Sequence, residues 1–244
     1  MLRLVIPLLA TVAVAQAVAA TPEDISEGAP LTVDDTTVTG RGKRTAQLST
    51  AAERTAAGDH RARLDPQLKA GIAEGWQASV TVPVIGGSAS RATSGDVRLG
   101  LQGKFNDEAG WLPSLGASLR LDLPTGRDSE GLDTRFKLLA TKTLAERHRV
   151  HLNALLENNQ EPRPNERSNR RGLVVGYDVQ LRGGTLLLAD YVVEQARERG
   201  RHDRLLEAGL RQKVGEGVLG FGVGAGLRDS ATDWRLRVSW QQEF

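Results

Sequence analysis

The amino-acid sequence predicts an all-β fold, a closed antiparallel transmembrane β-barrel of about 12 strands. Three observations support this prediction. Between residues 44 and 244, apolar and polar residues alternate with a period of two in twelve segments, as in strands whose faces meet different environments. Longer polar connections alternate with short ones, the arrangement of barrels with outer loops and short inner turns. Beyond residue 20, no apolar run reaches the roughly 20 residues of a membrane helix, and lipid otherwise admits only closed barrels.

The predicted strands follow one another at short intervals, and each places apolar residues on one side and polar residues on the other. Leu115, Ala117 and Leu119, for example, alternate with Ser118 and Arg120. The segments are residues 46–53, 62–72, 76–84, 97–105, 115–123, 132–138, 150–157, 173–181, 187–194, 206–213, 219–227 and 234–244. Tight turns are expected at 106–110, 144–148, 182–184 and 215–217, and longer outer loops at 86–95, 125–131 and 158–171.

Two segments depart from the regular pattern. Pro66 lies in the middle of the second one, where a missing N–H should interrupt the hydrogen bonding. It implies a bulge, a shifted boundary or a segment that is not a strand. In the eleventh segment, glycine occupies every second position from 220 to 226, and Gly215–Gly220 matches a dinucleotide-binding spacing. Because no helix follows, we interpret these glycines as an inner face that widens the lumen or makes room for a plug.

The last strand indicates the cellular location. In residues 234–244, Trp234, Leu236, Val238 and Trp240 share one face, and the chain stops at Phe244. This ending resembles the terminal strand of bacterial outer-membrane barrels, and the resemblance implies that Trp240 and Phe244 form a signal for the barrel-assembly machinery. Other aromatic residues fall at predicted strand ends, as interfacial girdles require. The alternative is a soluble β-sandwich or barrel with its apolar faces inward, which alternation alone does not distinguish.

The amino-terminal residues predict export and a three-part organisation. Residues 1–20 combine Arg3, an apolar run and a small-residue exit at Ala19–Ala20, the features of a secretory signal peptide. Its removal lowers the formal charge from +2 to +1, because Arg3 is its only charged residue. We expect residues 21–43 to form a periplasmic segment that is disordered or lightly docked, and residues 44–244 to form the barrel. The chain has no cysteine, which excludes disulfides and thiolate metal sites.

The polar faces of the predicted strands would line a narrow, wet lumen. Twelve strands lie between the eight that side chains fill and the sixteen that leave an aqueous channel. Charges of both signs should pair across such a lumen and partly occlude it. The predicted lumen-lining residues are Arg63, Asp65, Lys104, Arg120, Asp122, Asp133, Arg135, Lys137, Asp178, Asp190, Glu194, Glu207, Arg211, Arg235 and Arg237.

Other motifs give no catalytic, cofactor or metal site. His151 and Asn153 share an inward face, which is reminiscent of barrel-embedded acyl hydrolases, but no serine stands in a recognisable setting. Asp128, Glu130 and Asp133 are either Ca²⁺ ligands or ordinary loop acids, and we favour the latter.

Neither nucleic acid nor an energy-coupling protein is an expected partner. Arginine is frequent in residues 163–171 and 197–204, but without aromatic residues for stacking. Pairing with lipid phosphates or plain solvation explains these arginines better. Residues 33–40 resemble the coupling box of large import receptors, whose plug domain and barrel exceed 244 residues, so we interpret this match as coincidence.

A family resemblance adds a functional expectation. Leu121-Asp-Leu-Pro-Thr-Gly126, Asp133-Thr-Arg-Phe-Lys-Leu-Leu139 and His151-Leu-Asn153 resemble the transporter-type barrels of the phenol meta-pathway degradation family. The resemblance covers residues 76–244 and implies an outer-membrane channel for small, often hydrophobic molecules. We therefore expect passive passage of a small solute, with outer-membrane lipids as surroundings. The alternatives are a structural or lipid-contacting barrel with a closed lumen and, less favoured, an acyl hydrolase.

Overall fold

The computed structural model describes residues 20–88, 90–127, 129 and 131–244. Apart from Ala20, the predicted signal peptide lies outside these residues, as do Asp128 and Glu130. Within the described part of the chain, no helix is long and apolar enough to span a membrane.

The described residues form fourteen β-strands. In chain order they are β1 (Arg44–Thr55), β2 (His60–Ala73), β3 (Trp76–Thr81), β4 (Val84–Gly87), β5 (Ser90–Ser94), β6 (Val97–Lys104), β7 (Ser114–Leu123), β8 (Asp133–Ala145), β9 (His148–Asn158), β10 (Asn169–Gln180), β11 (Thr185–Gln195), β12 (His202–Val214), β13 (Gly217–Gly226) and β14 (Thr232–Glu243).

Twelve of these strands close into an antiparallel barrel, as the sequence predicts. β1 pairs with β2 on one side and with β14 on the other, and from β6 to β14 each strand pairs with the next one in the chain. β3 pairs with β2 and β6 and completes the ring. The two remaining strands, β4 and β5, form a hairpin, and β4 pairs with the outer half of β2 beyond the end of β3. The predicted outer loop at residues 86–95 is therefore partly wrong, because most of it belongs to this hairpin.

Pro66 lies inside a continuous β2, and the interruption is in the neighbouring strand. Val82 N donates a hydrogen bond to Pro66 O at 3.1 Å, so the side of Pro66 that lacks an N–H faces the gap between β3 and β4. On its other side, β2 pairs without a break with β1, where Leu48 is opposite Pro66. The missing donor thus coincides with a break in the partner, and β2 remains intact.

The two faces of the barrel have opposite characters. Outward side chains are apolar and exposed, as for Leu156 at 61% and Leu138 at 52%, whereas inward side chains such as Asn153 and Asp178 are at most 1% exposed. A water-soluble barrel would bury the apolar face instead. This arrangement suits a bilayer around the wall and a polar lumen within it.

Both ends of the barrel chain lie at the same rim. Arg44 N donates to Phe244 O at 2.9 Å, and Phe244 N donates to Arg44 O at 2.8 Å. The short turns at 74–75, 146–147, 181–184 and 215–216 are also at this rim, which by the rule for such barrels faces the periplasm. One turn here is longer than predicted: residues 105–113 connect β6 to β7, with a bridge between Ala109 and Leu112.

Two tryptophans of the periplasmic rim pack over glycines of adjacent strands. A Cβ added to Gly103 would lie 2.8 Å from the ring of Trp76, and one added to Gly217 would lie 2.2 Å from the ring of Trp240. Each glycine therefore leaves the space that an indole ring occupies. The predicted role of Trp240 and Phe244 as an assembly signal stays a prediction.

Residues 20–43 lie inside the lumen and are called here the plug segment. Ile25, Leu31 and Val33 are at most 3% exposed. They form an apolar cluster with inward side chains of β10, β11 and β12: Val174, Leu186, Leu188, Val192 and Leu205. The expectation of a disordered periplasmic segment is therefore wrong for these residues. They lack a period of two, but they carry apolar and acidic side chains that the wall accommodates.

The lumen and its plug

The plug segment enters and leaves the lumen at the periplasmic rim. Near its start, Ala20 N donates to Glu216 O in the turn between β12 and β13 at 3.2 Å. Near its end, Gly42 N donates to Gly71 O at 2.9 Å, and Arg41 forms a parallel bridge with Gly71. Between these points the chain rises into the barrel and turns back. Both described ends of this loop are therefore on the periplasmic side.

Inward side chains of the wall hold the plug backbone. Asp190 Oδ2 accepts hydrogen bonds from Thr32 N at 3.0 Å and Val33 N at 2.8 Å, and Glu207 Oε2 also accepts from Thr32 N at 3.0 Å. On β9, Asn153 Oδ1 accepts from Asp34 N at 2.7 Å, while its Nδ2 donates to Asp34 O at 2.9 Å. A backbone without its own ladder thus satisfies its polar groups through wall side chains.

Glycines on the inner face make the space for the plug. A Cβ added to Gly176 of β10 would lie 2.6 Å from Val33 Cγ2. At Gly222 of β13 it would lie 2.7 Å from Pro30 O, and at Gly209 of β12 it would lie 3.1 Å from Leu31 Cδ2. Contacts this close leave no room for a side chain. Of the two interpretations of the glycine row in β13, room for a plug is therefore the one found.

Ion pairs hold the tip of the plug segment against the wall. The Glu27 carboxylate lies 2.7 Å from Arg135 Nη1, 2.7 Å from Lys137 Nζ and 3.7 Å from Arg120 Nη1. Lys137 Nζ also lies 2.7 Å from Asp34 Oδ2. Burial would raise the pKa of Glu27, but Lys137, Arg135 and Arg120 together hold it well below its usual value. Glu27 is therefore a fixed anion in a basic setting.

A second buried cluster lies beside the plug segment. Asp178 pairs with Arg149 Nη2 at 2.9 Å and with His151 Nε2 at 2.6 Å, and His151 Nδ1 shares a hydrogen bond with Thr141 Oγ1 at 3.0 Å. Arg149 also lies 3.6 Å from Asp35 of the plug segment. His151 and Asp178 side chains are at most 1% exposed.

Above the plug segment, the lumen widens into an outer cavity of about 930 Å³. Ser26, Glu27 and Gly28 form its floor, and its walls reach the outer loops at Asp59, Ser88, Arg163, Glu198 and Ala231. Its described lining contains twelve Lys or Arg residues and nine Asp or Glu residues. The cavity is therefore polar and carries an excess of positive charge.

The predicted lumen-lining residues all lie on inward positions of the barrel strands, but in different settings. Those that line the outer cavity are Arg63, Asp65, Arg120, Arg135, Glu194, Arg235 and Arg237. Those buried against the plug segment, or beside that contact, are Lys137, Asp178, Asp190, Glu207 and Arg211. Asp122 pairs with Arg120 at 2.8 Å. Arg235 and Arg237 approach Glu207 at 3.5 and 3.3 Å.

Two of these residues lie away from both settings. Lys104 pairs with Asp107 in a periplasmic turn at 2.5 Å, and Asp133 pairs with Arg197 at the outer rim at 3.0 Å. Among the described residues, no group of three or more His, Cys, Asp or Glu side chains is arranged to hold a metal ion. Within residues 33–40, Val33, Asp34, Asp35, Thr36 and Thr39 are buried in the lumen, and the interpretation of the coupling-box match as coincidence stays a prediction.

Sequence reasoning missed the plug residues Glu27, Asp34 and Asp35, and the wall residues Arg98 and Glu157. A signal for the plug was present. Five acidic residues lie between positions 21 and 35 without a basic one, and the predicted lumen contains arginines and a glycine row. Complementary charge and missing side chains together could have placed this segment inside the barrel.

Comparison with solved structures identifies the fold. No family model matches the chain, and no curated protein matches it. The KdgM porin in complex with disordered oligogalacturonate is 15% identical with a TM-score of 0.61, over 82% of this chain and 99% of that chain. The COG4313 outer membrane channel from Pseudomonas putida F1 is also 15% identical with a TM-score of 0.61, over 90% of this chain and 100% of that chain. The NanC porin is 9% identical with a TM-score of 0.56, over 81% and 98%.

These similarities show a fold shared with porins and channels of the bacterial outer membrane. The twelve-strand ring is closed by the pairing of β1 with β2 and with β14, and its outward face is apolar. The chain is therefore an outer-membrane β-barrel with a channel-like architecture, and a loop of its own sequence occupies the lumen.

Proposed function

We propose that the protein is a channel for passive passage of a small solute, closed in this conformation by the plug segment. The observation that carries the proposal is the outer cavity, a polar space of about 930 Å³ that reaches the outer loops and stops at the plug. The plug is held by non-covalent contacts, and both its ends lie at the periplasmic rim. Its withdrawal would join the outer cavity to the periplasmic side.

The nature of the wall favours a polar solute. The predicted resemblance to phenol meta-pathway barrels implies a small, often hydrophobic molecule and supports the same general function. The charged lining of the cavity, however, would bind water or polar groups more strongly than hydrocarbon. The KdgM porin, similar in fold, was solved in complex with disordered oligogalacturonate. We therefore propose a small polar solute for this chain.

Conductance of the refolded full-length protein tests the proposal. We expect a heat-modifiable barrel that gives currents in planar bilayers, with brief openings when the plug leaves. Its currents should change with the solute added, and vesicles that contain it should accumulate that solute. A correctly folded, heat-modifiable barrel that neither conducts nor admits any solute would contradict the channel.

The second candidate is a structural or lipid-contacting barrel with a permanently closed lumen. The close fit of Val33 against Gly176 and the hydrogen bonds that Asp190 accepts from Thr32 N and Val33 N favour it, because such contacts are also typical of a permanent core. In that case no conductance would be detected, yet deletion of the gene would weaken the cell envelope.

Neither candidate is an enzyme. His151 contacts the Asp178 carboxylate and the Thr141 hydroxyl, and this cluster is buried. Release of fatty acid from phospholipid or lipopolysaccharide by the purified protein, with loss of this activity in His151→Ala, would contradict a non-enzymatic role.

A further inference from the structure

We infer that a small organic carboxylate opens this channel by competing with Glu27 for Arg120, Arg135 and Lys137. The inference rests on the proposed function and names the solute class. Glu27 belongs to the plug segment, and its carboxylate is bound to three cations of the wall. A soluble carboxylate that reached these cations would take the place of the tethered one.

The site can be reached from the outer cavity. Glu27 is on the cavity floor with 32% of its side chain exposed, and Arg120 and Arg135 line the wall beside it. Lys137 lies behind them with only 4% of its side chain exposed. An incoming carboxylate would thus meet Arg120 and Arg135 first and Lys137 as Glu27 leaves.

The charge balance favours an anion. The described ion pairs connect Glu27 into one network with Arg63, Arg98, Arg120, Arg135, Lys137, Arg170, Asp34, Asp65, Asp122 and Glu157. Six cations face five carboxylates in this network, and because Asp34 leaves together with Glu27, release of the plug segment leaves three. Water would compensate this excess poorly inside a narrow lumen, whereas a bound carboxylate restores part of the negative charge.

The network also contains unused hydrogen-bond donors. Arg63 Nη2, Arg98 Nε and Arg170 Nε are buried and have no hydrogen-bond partner. Because an unsatisfied buried donor is unfavourable, a ligand with oxygen atoms besides its carboxylate would gain from a small rearrangement here. Cations would be repelled, and neutral molecules would not replace the charge of Glu27.

Binding of this kind opens the channel by shifting the equilibrium between the bound and the released conformation of the plug segment. The carboxylate binds only when Glu27 has left, so it stabilises the released plug in proportion to its concentration. The contacts of Asp190 and Asn153 with the plug backbone remain as an opposing force. They set a threshold concentration and keep the channel closed without solute.

Thiol labelling measures plug release directly. Because the chain has no cysteine, Thr36→Cys introduces a single thiol at a position that is 4% exposed, and Thr37→Cys gives an exposed control next to it. The probes are two pairs, glucuronate with glucose and benzoate with benzamide, each an acid with its neutral counterpart. We expect at least one acid to accelerate maleimide labelling of Thr36→Cys tenfold or more, and neither neutral compound to do so.

Two charge-removing variants separate competition from a structural role of Glu27. In Glu27→Gln the internal competitor is weakened, so the acid should act at a concentration at least tenfold lower. Glu23→Gln is the matched control, since Glu23 is in the same segment but does not line the cavity, and it should leave this concentration unchanged. Arg120→Gln should abolish the response to the acid. Each variant is first checked as a heat-modifiable barrel.

The outcomes distinguish this inference from the proposed function. The inference is overturned if neither acid accelerates labelling, if acids and neutral partners act equally, or if Glu27→Gln needs the same or more acid. In those cases Glu27→Gln could still conduct more than the wild type in planar bilayers, and the channel would stand. If neither protein conducts, the channel proposal itself fails.

Discussion

One added methyl group at Gly176 should loosen the plug segment while the barrel stays intact. The new Cβ would lie 2.6 Å from Val33 Cγ2 and 3.1 Å from Val33 Cβ, so the clash falls on the plug alone. Gly172→Ala is the matched control, because Gly172 is on the same strand and the same inner face. Its added Cβ would lie 2.5 Å from Glu194 Cγ and 3.1 Å from Val193 O, so this clash falls on the barrel wall and not on the plug segment.

The size of the effect follows from the packing. Insertion of a methyl group into a well-packed site typically costs about 1–3 kcal/mol. Since each 1.4 kcal/mol is tenfold in an equilibrium, the population with a released plug should rise about 5- to 150-fold. Labelling of Thr36→Cys should accelerate by the same factor, provided that the plug leaves and returns faster than the thiol is labelled and that the released state is rare.

Val33→Ala provides the rescue. On its own it removes two buried methyl groups and should also accelerate labelling. Combined with Gly176→Ala, it removes the carbon atom that lies closest to the new methyl group. The double variant should therefore label more slowly than the product of the two single effects predicts.

The assay is maleimide labelling of Thr36→Cys relative to Thr37→Cys in refolded, heat-modifiable protein. Equal rates in Gly176→Ala and in the unmodified background would refute the reasoning. So would an acceleration in Gly172→Ala as large as that in Gly176→Ala, because the effect would then come from the barrel.

The remaining predictions concern charge, pH and assembly. Lys137→Gln leaves Glu27 and Asp34 without their shared cation. Because a broken buried ion pair costs about 3–5 kcal/mol, this variant should accelerate labelling of Thr36→Cys more than a hundredfold. An unchanged labelling rate would contradict a role of these ion pairs in holding the plug. Labelling should not accelerate between pH 7.5 and 5.5. Glu27 stays charged in this range, whereas burial raises the pKa of Asp24 to about 6. Acidification therefore neutralises an unfavourable buried charge and stabilises the bound plug. Faster labelling at pH 5.5 would contradict this direction of the pH dependence. Phe244→Ala should lower the amount of assembled barrel in cells several-fold, as heat-modifiable protein in outer membranes measures, and an unchanged amount would exclude the terminal residue as an assembly signal.

The barrel could be predicted from sequence because apolar residues that face outward alternate with polar residues that face the lumen within each single strand. In β14, for example, Leu236 and Val238 face outward while Arg235 and Arg237 face the lumen, and a shift by one residue would reverse every side chain. The same period predicted the inward positions of the charged residues. It did not reveal their partners, because pairing across a lumen depends on register and closure.

The plug could not be predicted because its signal is not periodic. Nothing in the sequence around Leu31 and Val33 distinguishes them from residues of an ordinary coil. Their packing partners, Gly209 and Gly176, are more than a hundred positions away in the chain. Likewise, the floor of the outer cavity consists of Ser26, Glu27 and Gly28, which are far in the chain from most of its walls. Such features arise from contacts between distant segments, and local pattern carries little information about them.

A reversible lock on the plug tests the central claim most directly. In the Val33→Cys and Gly176→Cys double variant, the two Cβ atoms would be about 3.1 Å apart, a few tenths of an ångström below the usual disulfide range, and the clashing Val33 methyl groups are gone. Planar-bilayer conductance of this variant is measured first oxidised and then after addition of a reducing agent. We predict no conductance while the disulfide holds the plug in the lumen and solute-dependent currents once it is reduced. Equal currents before and after reduction, with the disulfide verified by mass spectrometry, would contradict a channel closed by residues 20–43.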